Sequence, residues 1–204
     1  MKIAILGGTG KFGRALAIRL VEAGDDVVLG SRDGARAREA ASELGARGEM
    51  NHVAAGSAEL VVLAVPAAEA VATARELRPI LASPLLSVAA EIEFDAGIAR
   101  PPGRTTSLAE QVAEAVDVPV VAGLHTLAAR RLAKSRPEDD AFVCGDDEDA
   151  KAIALELAQR IVSGRALDAG PLEAARALEA LTAVLLNLNR EYKTHTGLRV
   201  TGLP

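Results

Sequence analysis

Aromatic side chains are scarce in this 204-residue chain, which has no tryptophan, one tyrosine and three phenylalanines. A ring-shaped ligand would find few aromatic platforms, so aliphatic side chains and backbone would have to hold it. Cysteine is scarcer still. The single Cys144 excludes an internal disulfide and suits a reducing cytoplasm. No apolar run approaches the ~20 residues that a membrane-spanning helix needs. The first run, 3–6, is too short for a secretion signal and ends in glycines. A surplus of positive charge is missing too. With 28 acids against 23 bases the net charge is −5, which gives no whole-molecule attraction for nucleic acid or an anionic membrane. No internal repeat, low-complexity tail or metal-site spacing of Cys, His and acids is visible.

Half of the residues are apolar and a quarter are charged, as in a globular protein. The length suits one domain, 1–204, with 171–204 as a C-terminal helix and tail. Apolar runs at 2–6, 26–30, 60–65, 85–90, 118–123 and 140–144 read as strands. Helical spacing fills 11–23, 33–44, 67–81, 108–116, 147–162 and 171–189, with Gly24 and Gly45 as C-terminal stops. Residues 95–107, rich in Gly, Pro, Arg and Thr, read as a loop. Alternation of strand and helix predicts an α/β fold with a Rossmann-type, doubly wound, mostly parallel sheet and a small C-terminal helical part. The strands lack period-two alternation, so both faces of the sheet are expected to be buried. The last helix and tail are expected to lie across the sheet edge or against a second subunit.

Between the first strand and the first helix stands GGTGKFG, residues 7–13. Gly8-Thr9-Gly10-Lys11-Phe12-Gly13 reads G-x-G-x-x-G, while Gly7, Gly10 and Gly13 read G-x-x-G-x-x-G. Either pattern cradles phosphate: glycines permit a tight turn and a close backbone approach, and the helix N-terminus faces the anion. The short-chain dehydrogenases that use the second pattern need a Tyr with a Lys four residues later. The only tyrosine here is Tyr192, with Lys193 adjacent, so that chemistry is absent. The second strand ends in Gly30-Ser31-Arg32 instead of the acid that bonds the ribose 2′-hydroxyl of NAD. A hydroxyl and guanidinium groups, with Arg36 on the next helix, suit a 2′-phosphate and therefore NADP. Arg38 reads equally well as a solvated helix face.

His125 follows the 118–123 strand, at the end where open α/β sheets bind ligands. His52 and His195 read as ordinary surface or loop residues. The acids Asp146, Asp147, Glu148 and Asp149 precede a helix and complement its dipole; they lack the alternating ligands of a calcium loop. Cys144 has no neighbouring base in sequence and reads as buried and inert.

Taken together, the segments MKIAILGGTGKFGRALAIRLVEAG, VVLGSRD, VVLAVP, GLHTLAARRL, VCGDDEDAK, LDAGPLEAARALEALTAVLLNLN and HTGLRVTGLP resemble the NADPH-dependent reductases of coenzyme F420, an 8-hydroxy-5-deazaflavin. The likeness spans nearly the whole chain. It implies hydride exchange between NADPH and F420, with the protein chiefly aligning two rings, and a cytoplasmic homodimer. It places Thr9, Gly10, Lys11 and Phe12, with Gly8 and Gly13, at the pyrophosphate, and Ser31, Arg32 and Arg36 at the 2′-phosphate. Val65, Pro66, Ala67, Val71, Gly97 and Ala129 fall on the nicotinamide half. His125 falls against the deazaflavin as a positioning group, with Leu198 or Leu203 near it, and no metal is implied. Three departures cluster at the transfer site: Val88-Ala89-Ala90-Glu91 replaces the family's Ser-Pro-Leu or Asn-Pro-Leu, Ala67 replaces a bulky residue, and Ala128 replaces a proline. These leave open two further readings, an NADPH-dependent reductase of another acceptor (a flavin, ferric chelate, imine or carbonyl) and a non-catalytic NADP-binding sensor.

Overall fold

A computed structural model describes residues 1–203 of the chain. Ten strands run in chain order as β1 (Lys2–Leu6), β2 (Asp26–Ser31), β3 (Arg47–Met50), β4 (Leu60–Leu63), β5 (Leu85–Ser87), β6 (Glu93–Asp95), β7 (Ile98–Arg100), β8 (Val120–Gly123), β9 (Ala141–Gly145) and β10 (Ala166–Asp168). The helices are α1 (Lys11–Glu22), α2 (Gly34–Ser42), α3 (Asn51–Ala55), α4 (Ala67–Leu77), α5 (Leu108–Ala113), α6 (Ala129–Leu132), α7 (Glu148–Ile161) and α8 (Ala175–Glu191). Eight strands form one sheet in the order β10-β9-β8-β5-β4-β1-β2-β3, parallel except where β8 meets β9. The remaining two, β6 and β7, make a separate antiparallel hairpin.

The central strands are buried on both faces because helices cover both. On one side α1, α2, α6 and α7 bring Leu16, Leu20, Ala41, Leu132 and Leu157 onto Ile3, Ile5, Leu29, Val62 and Val121. On the other, α3, α4 and α5 bring Ala55, Ala74, Leu77 and Val112 onto Ala4, Leu6, Val61 and Leu85. Alternate residues of β1 thus serve opposite cores, which is why its sequence is uniformly apolar. The start of α8 adds Ala175 and Leu178 over Ala122 and Cys144. The strand order reverses beside β1, which has β2 on one side and β4 on the other. A crevice opens at such a switch point, past the carboxyl ends of the strands.

Several expected boundaries shift. The segment expected to be a loop contains the β6–β7 hairpin, whose Ala99 exchanges two 2.9 Å hydrogen bonds with the Asn187 side chain of α8. Strand pairing there comes from docking on a distant helix, a contact that local sequence does not encode. The strand expected over 85–90 ends at Ser87 and that over 60–65 at Leu63, so the residues that follow are freed to line clefts. Helices expected to reach 81, 44 and 116 stop at Leu77, Ser42 and Ala113, and Asp33 is the cap of α2 instead of its first turn. The helix expected from 171 begins as a 3-10 turn, Leu172–Ala174. Sequence periodicity gave no sign of β3, α3, α6 or β10, which are short and partly polar.

Candidate functional site

The loop between β1 and α1 turns on Gly7, whose φ of 82° lies in the region that favours glycine. Its amide and that of Gly8 both point to the Gly30 carbonyl, at 3.1 and 3.2 Å, tying the loop to the end of β2. A Cβ on Gly13 would lie 2.6 Å from the Gly7 carbonyl and 2.8 Å from the Gly8 Cα, so α1 comes this close only because position 13 is glycine. The N-cap of α1 is Gly10, with no side-chain cap and no acid in the first turn. Its leading amides and positive dipole end are therefore left for an anion.

A cleft of about 490 Å³ lies over this turn. Thr9, Gly10, Lys11 and Phe12 line it together with Ser31, Arg32, Arg36, Val65 and Pro66. Gly8 and Gly13 build the turn beneath. Asp33, two residues past Ser31, is an acid in the position to mislead, but its carboxylate caps α2 by accepting from the Ala35 and Arg36 amides at 2.9 and 3.2 Å. Glu69, Asn51, Ala64 and Thr73 also line the cleft and had no sequence signal. Glu69 of α4 pairs with Arg32 at 3.2 Å, both side chains exposed. Asn51, at the start of α3, has a buried side-chain oxygen without a partner among the described residues. Arg38 does not line the cleft. An uncapped helix, converging guanidinium groups and an orphaned amide fit a dinucleotide with a 2′-phosphate.

Past Phe12 the surface continues into an apolar cleft of about 230 Å³, lined by Ala64, Val65, Pro66, Ala67, Val88, Ala89 and Ala90. Two of the three sequence departures, Ala67 and the 88–90 segment, meet here, and small side chains leave its walls open, whereas Ala128 lines the separate cleft beside His125. Val71 packs on the α4 side of the core beneath. Beyond Ala89 lies His125, 9% exposed, with neither ring nitrogen hydrogen-bonded among the described residues. Burial pushes its imidazole down to about 4, and the nearby Ala89 carbonyl opposes this only weakly. The ring is therefore neutral at ordinary pH.

A third cleft, of about 280 Å³, is lined by His125 to Arg130 and, from α8 and the tail, by Thr182, Leu185, Leu186, Asn189, His195 and Thr196. The Thr182 hydroxyl donates to the His125 carbonyl at 3.2 Å and so fixes α8 against it. The Thr126 hydroxyl, also buried, has no partner among the described residues. Ala129 lies in this cleft and not in the Ala67 cleft. His195, expected to be an ordinary loop residue, stands on its wall 3.3 Å from Arg130. Gly97 sits at the tip of the β6–β7 hairpin, with φ 78°, where its carbonyl accepts from Arg190, and it lines none of the three clefts. Leu198 gives its carbonyl to the Asp140 amide and Leu203 is exposed, while Pro204 lies outside the described residues.

The other candidates have structural roles. Asp147 caps α7 through the Ala150 amide at 2.8 Å, and Asp146 accepts from Leu172. No cluster of three metal-binding side chains occurs among the described residues. Cys144 is wholly buried, and its thiol is pushed up to about 12 by that burial, so it is not a nucleophile at neutral pH. His52 is exposed on α3.

The fold and the first cleft define a Rossmann-type dinucleotide-binding protein with a second, apolar compartment at its switch point. Residues 2–91 match the family described as NADP oxidoreductase, coenzyme F420-dependent. Over the whole chain, the F420-dependent NADP reductase of Methanothermobacter thermautotrophicus is 36% identical, with 96% of that protein covered. The F420-dependent NADP reductase of Methanocaldococcus jannaschii is 34% identical, with 99% covered. A solved structure from Arthrobacter sp. FB24 superposes with a TM-score of 0.86 at 27% identity, covering 99% of this chain and all of that one. The chain belongs to the F420-dependent NADP oxidoreductase family.

Proposed function

We propose that this protein transfers hydride reversibly between NADPH and coenzyme F420. The observation that carries the reading is the junction at Phe12, where a cleft lined by the glycine turn and two arginines shares a wall with a cleft of small apolar side chains, whose Ala89 lies near the neutral, buried His125. When bound, NADPH supplies a hydride from the nicotinamide C4, which the deazaflavin accepts at C5. The chain's own work is alignment and exclusion of water. The α1 amides hold the pyrophosphate, and Ser31, Arg32 and Arg36 hold the 2′-phosphate. Val65, Pro66 and Ala67 flank the nicotinamide, with Val71 behind them. His125, uncharged, offers one N–H donor and one acceptor nitrogen to the ring opposite. No tyrosine stands in the three clefts, consistent with a transfer that needs no side-chain acid.

Whole-length kinship to proteins of that activity favours F420 over the flavin, iron or carbonyl acceptors and over a sensor without turnover. Mixing the purified protein with NADPH and oxidised deazaflavin is expected to bleach the deazaflavin's visible absorbance and consume NADPH one for one. Absence of bleaching at every pH from about 5 to about 9 contradicts the reading.

The working form is a homodimer acting as one folding unit in the cytoplasm. Supporting this, seven of the ten exposed large hydrophobics among the described residues belong to the hairpin, α8 and the tail: Phe94, Ile98, Val184, Leu186, Leu188, Tyr192 and Leu203. Among the described residues no helix is long and apolar enough to cross a membrane.

A further inference from the structure

The last described residues do not trail from α8. They double back across the molecule and are fastened at three successive points. First, the Asn189 side-chain oxygen of α8 accepts from both the amide and the hydroxyl of Thr196, at 2.6 and 2.8 Å. Second, Gly197 lies on the Asp139 carboxylate so closely that a Cβ there would fall 2.1 Å from it. Third, Asp140 grips the segment that follows: its amide donates to the Leu198 carbonyl at 2.8 Å and its carboxylate accepts from the Val200 amide at 2.8 Å.

That carboxylate is fully buried and is itself held by Arg165, through the backbone amide at 2.9 Å and the guanidinium at 2.7 Å. The same guanidinium donates to the Val200 carbonyl. Asp140 therefore sits between Arg165 and the tail and bonds to both, so removing its charge weakens both holds at once, leaving only the Arg165 bond to the Val200 carbonyl and the Asp140 amide bond to Leu198 at full strength. These bonds hold its carboxyl well below the usual range, at about 2. At neutral pH the fastening is permanently charged. None of these residues touches the dinucleotide cleft, yet the segment they hold places His195 and Thr196 opposite His125.

We infer that Asp140 and Arg165 form a latch on residues 198–200 that keeps His195 and Thr196 in place as the outer wall of the acceptor compartment, making Asp140 and Arg165 positioning residues for the acceptor and not for NADPH. The inference rests on the reading that the His125 cleft receives the acceptor. Without the latch the compartment keeps its α8 and His125 sides and loses its outer wall, so the acceptor binds less tightly while the NADPH cleft stays intact.

The test uses two variants of the full-length protein. Asp140→Asn removes the charge that joins Arg165 to the tail. Gly197→Ala lies in the tail outside the core and drives it off Asp139 by steric clash, so it remains informative if Asp140→Asn fails to fold. For each, three quantities are read: KM and kcat for the oxidised deazaflavin, Kd for NADPH from its fluorescence, and the rate of trypsin cleavage after Lys193 and Arg199, both exposed. The latch predicts faster cleavage, a deazaflavin KM raised about tenfold or more with a smaller fall in kcat, and an NADPH Kd within about twofold of the parent. Faster cleavage with unchanged KM overturns the inference, because the tail is then no wall of the site. So does unchanged cleavage, or an equal loss of NADPH and deazaflavin binding, which marks general loosening. A parent protein that fails to reduce the deazaflavin overturns the functional reading instead, and shows itself in the same assay before any variant is made.

Discussion

Arg32 competes between two partners. It faces Glu69 at 3.2 Å, and an exposed pair of this kind contributes at most about 1 kcal/mol. A charge-assisted bond to a 2′-phosphate contributes about 1.5–3 kcal/mol, so the phosphate displaces the carboxylate. Arg32→Ala is expected to weaken NADPH by roughly 10- to 100-fold while NADH changes little. Titration of coenzyme fluorescence measures both, and equal losses would refute the 2′-phosphate assignment. Glu69→Gln should act in the opposite direction. Removing a carboxylate from beside a dianion tightens NADPH, by about two- to fivefold at low salt, and the gain shrinks as salt is added. His125 leaves its mark on stability. Its folded pKa of about 4 lies below the ordinary 6.5, so below pH 6.5 the unfolded chain takes up the proton first. Stability therefore falls as pH drops from 6.5 towards 4, by on the order of 2 kcal/mol at pH 5. Urea midpoints at pH 7 and 5 should show this slope in the parent, and His125→Gln should lack it.

Among elements, β1, α1 and β2 are legible in the sequence, because each buries a clear apolar pattern and has a glycine at or close to its end. What escaped has a shared cause. In β3 the sequence Arg47-Gly48-Glu49-Met50 is an edge strand with one buried residue, and β10 is an edge of three residues with none fully buried. The β6–β7 hairpin is held by Asn187, some ninety positions away. Such elements exist through tertiary contact, not local preference. The same holds within the clefts. Ser31 and Arg32 could be read from their place at a strand end, whereas Glu69, Asn51 and His195 arrive from other elements. Gly97 was assigned by likeness alone and stands at the hairpin tip. The tightest element-scale constraint is Gly13. Gly13→Ala sets a methyl against backbone on two sides, and the cost of such overpacking is about 1–3 kcal/mol. Lower thermal stability and at least a tenfold weaker hold on NADPH are expected, because the displaced turn is the one whose amides face the pyrophosphate. A melting curve and a fluorescence titration check both.

At the scale of the whole molecule, two features direct the chemistry to one place. The sheet reverses its order beside β1, which fixes where a dinucleotide lies, and α8 returns across β8 and β9 to close the far side of His125. Between them lies a cleft lined by alanine, valine and proline beside Phe12, aliphatic walls that would suit an aromatic ring. The composition fits this, since the chain has almost no aromatic side chains to offer. The exposed apolar side chains on the hairpin, α8 and tail give a further expectation. If Val184 and Leu188, one turn apart on α8, pack against a second copy, light scattering should give twice the mass of one chain. Leu188→Asp should then shift the population towards monomer. The central claim, hydride transfer from NADPH to F420, is tested most directly by following deazaflavin absorbance after mixing with protein and NADPH. Loss of the visible band, matched one for one by NADPH oxidation and reversed by excess NADP with reduced deazaflavin, is the expected result. NADPH that binds but leaves the deazaflavin spectrum unchanged would contradict it.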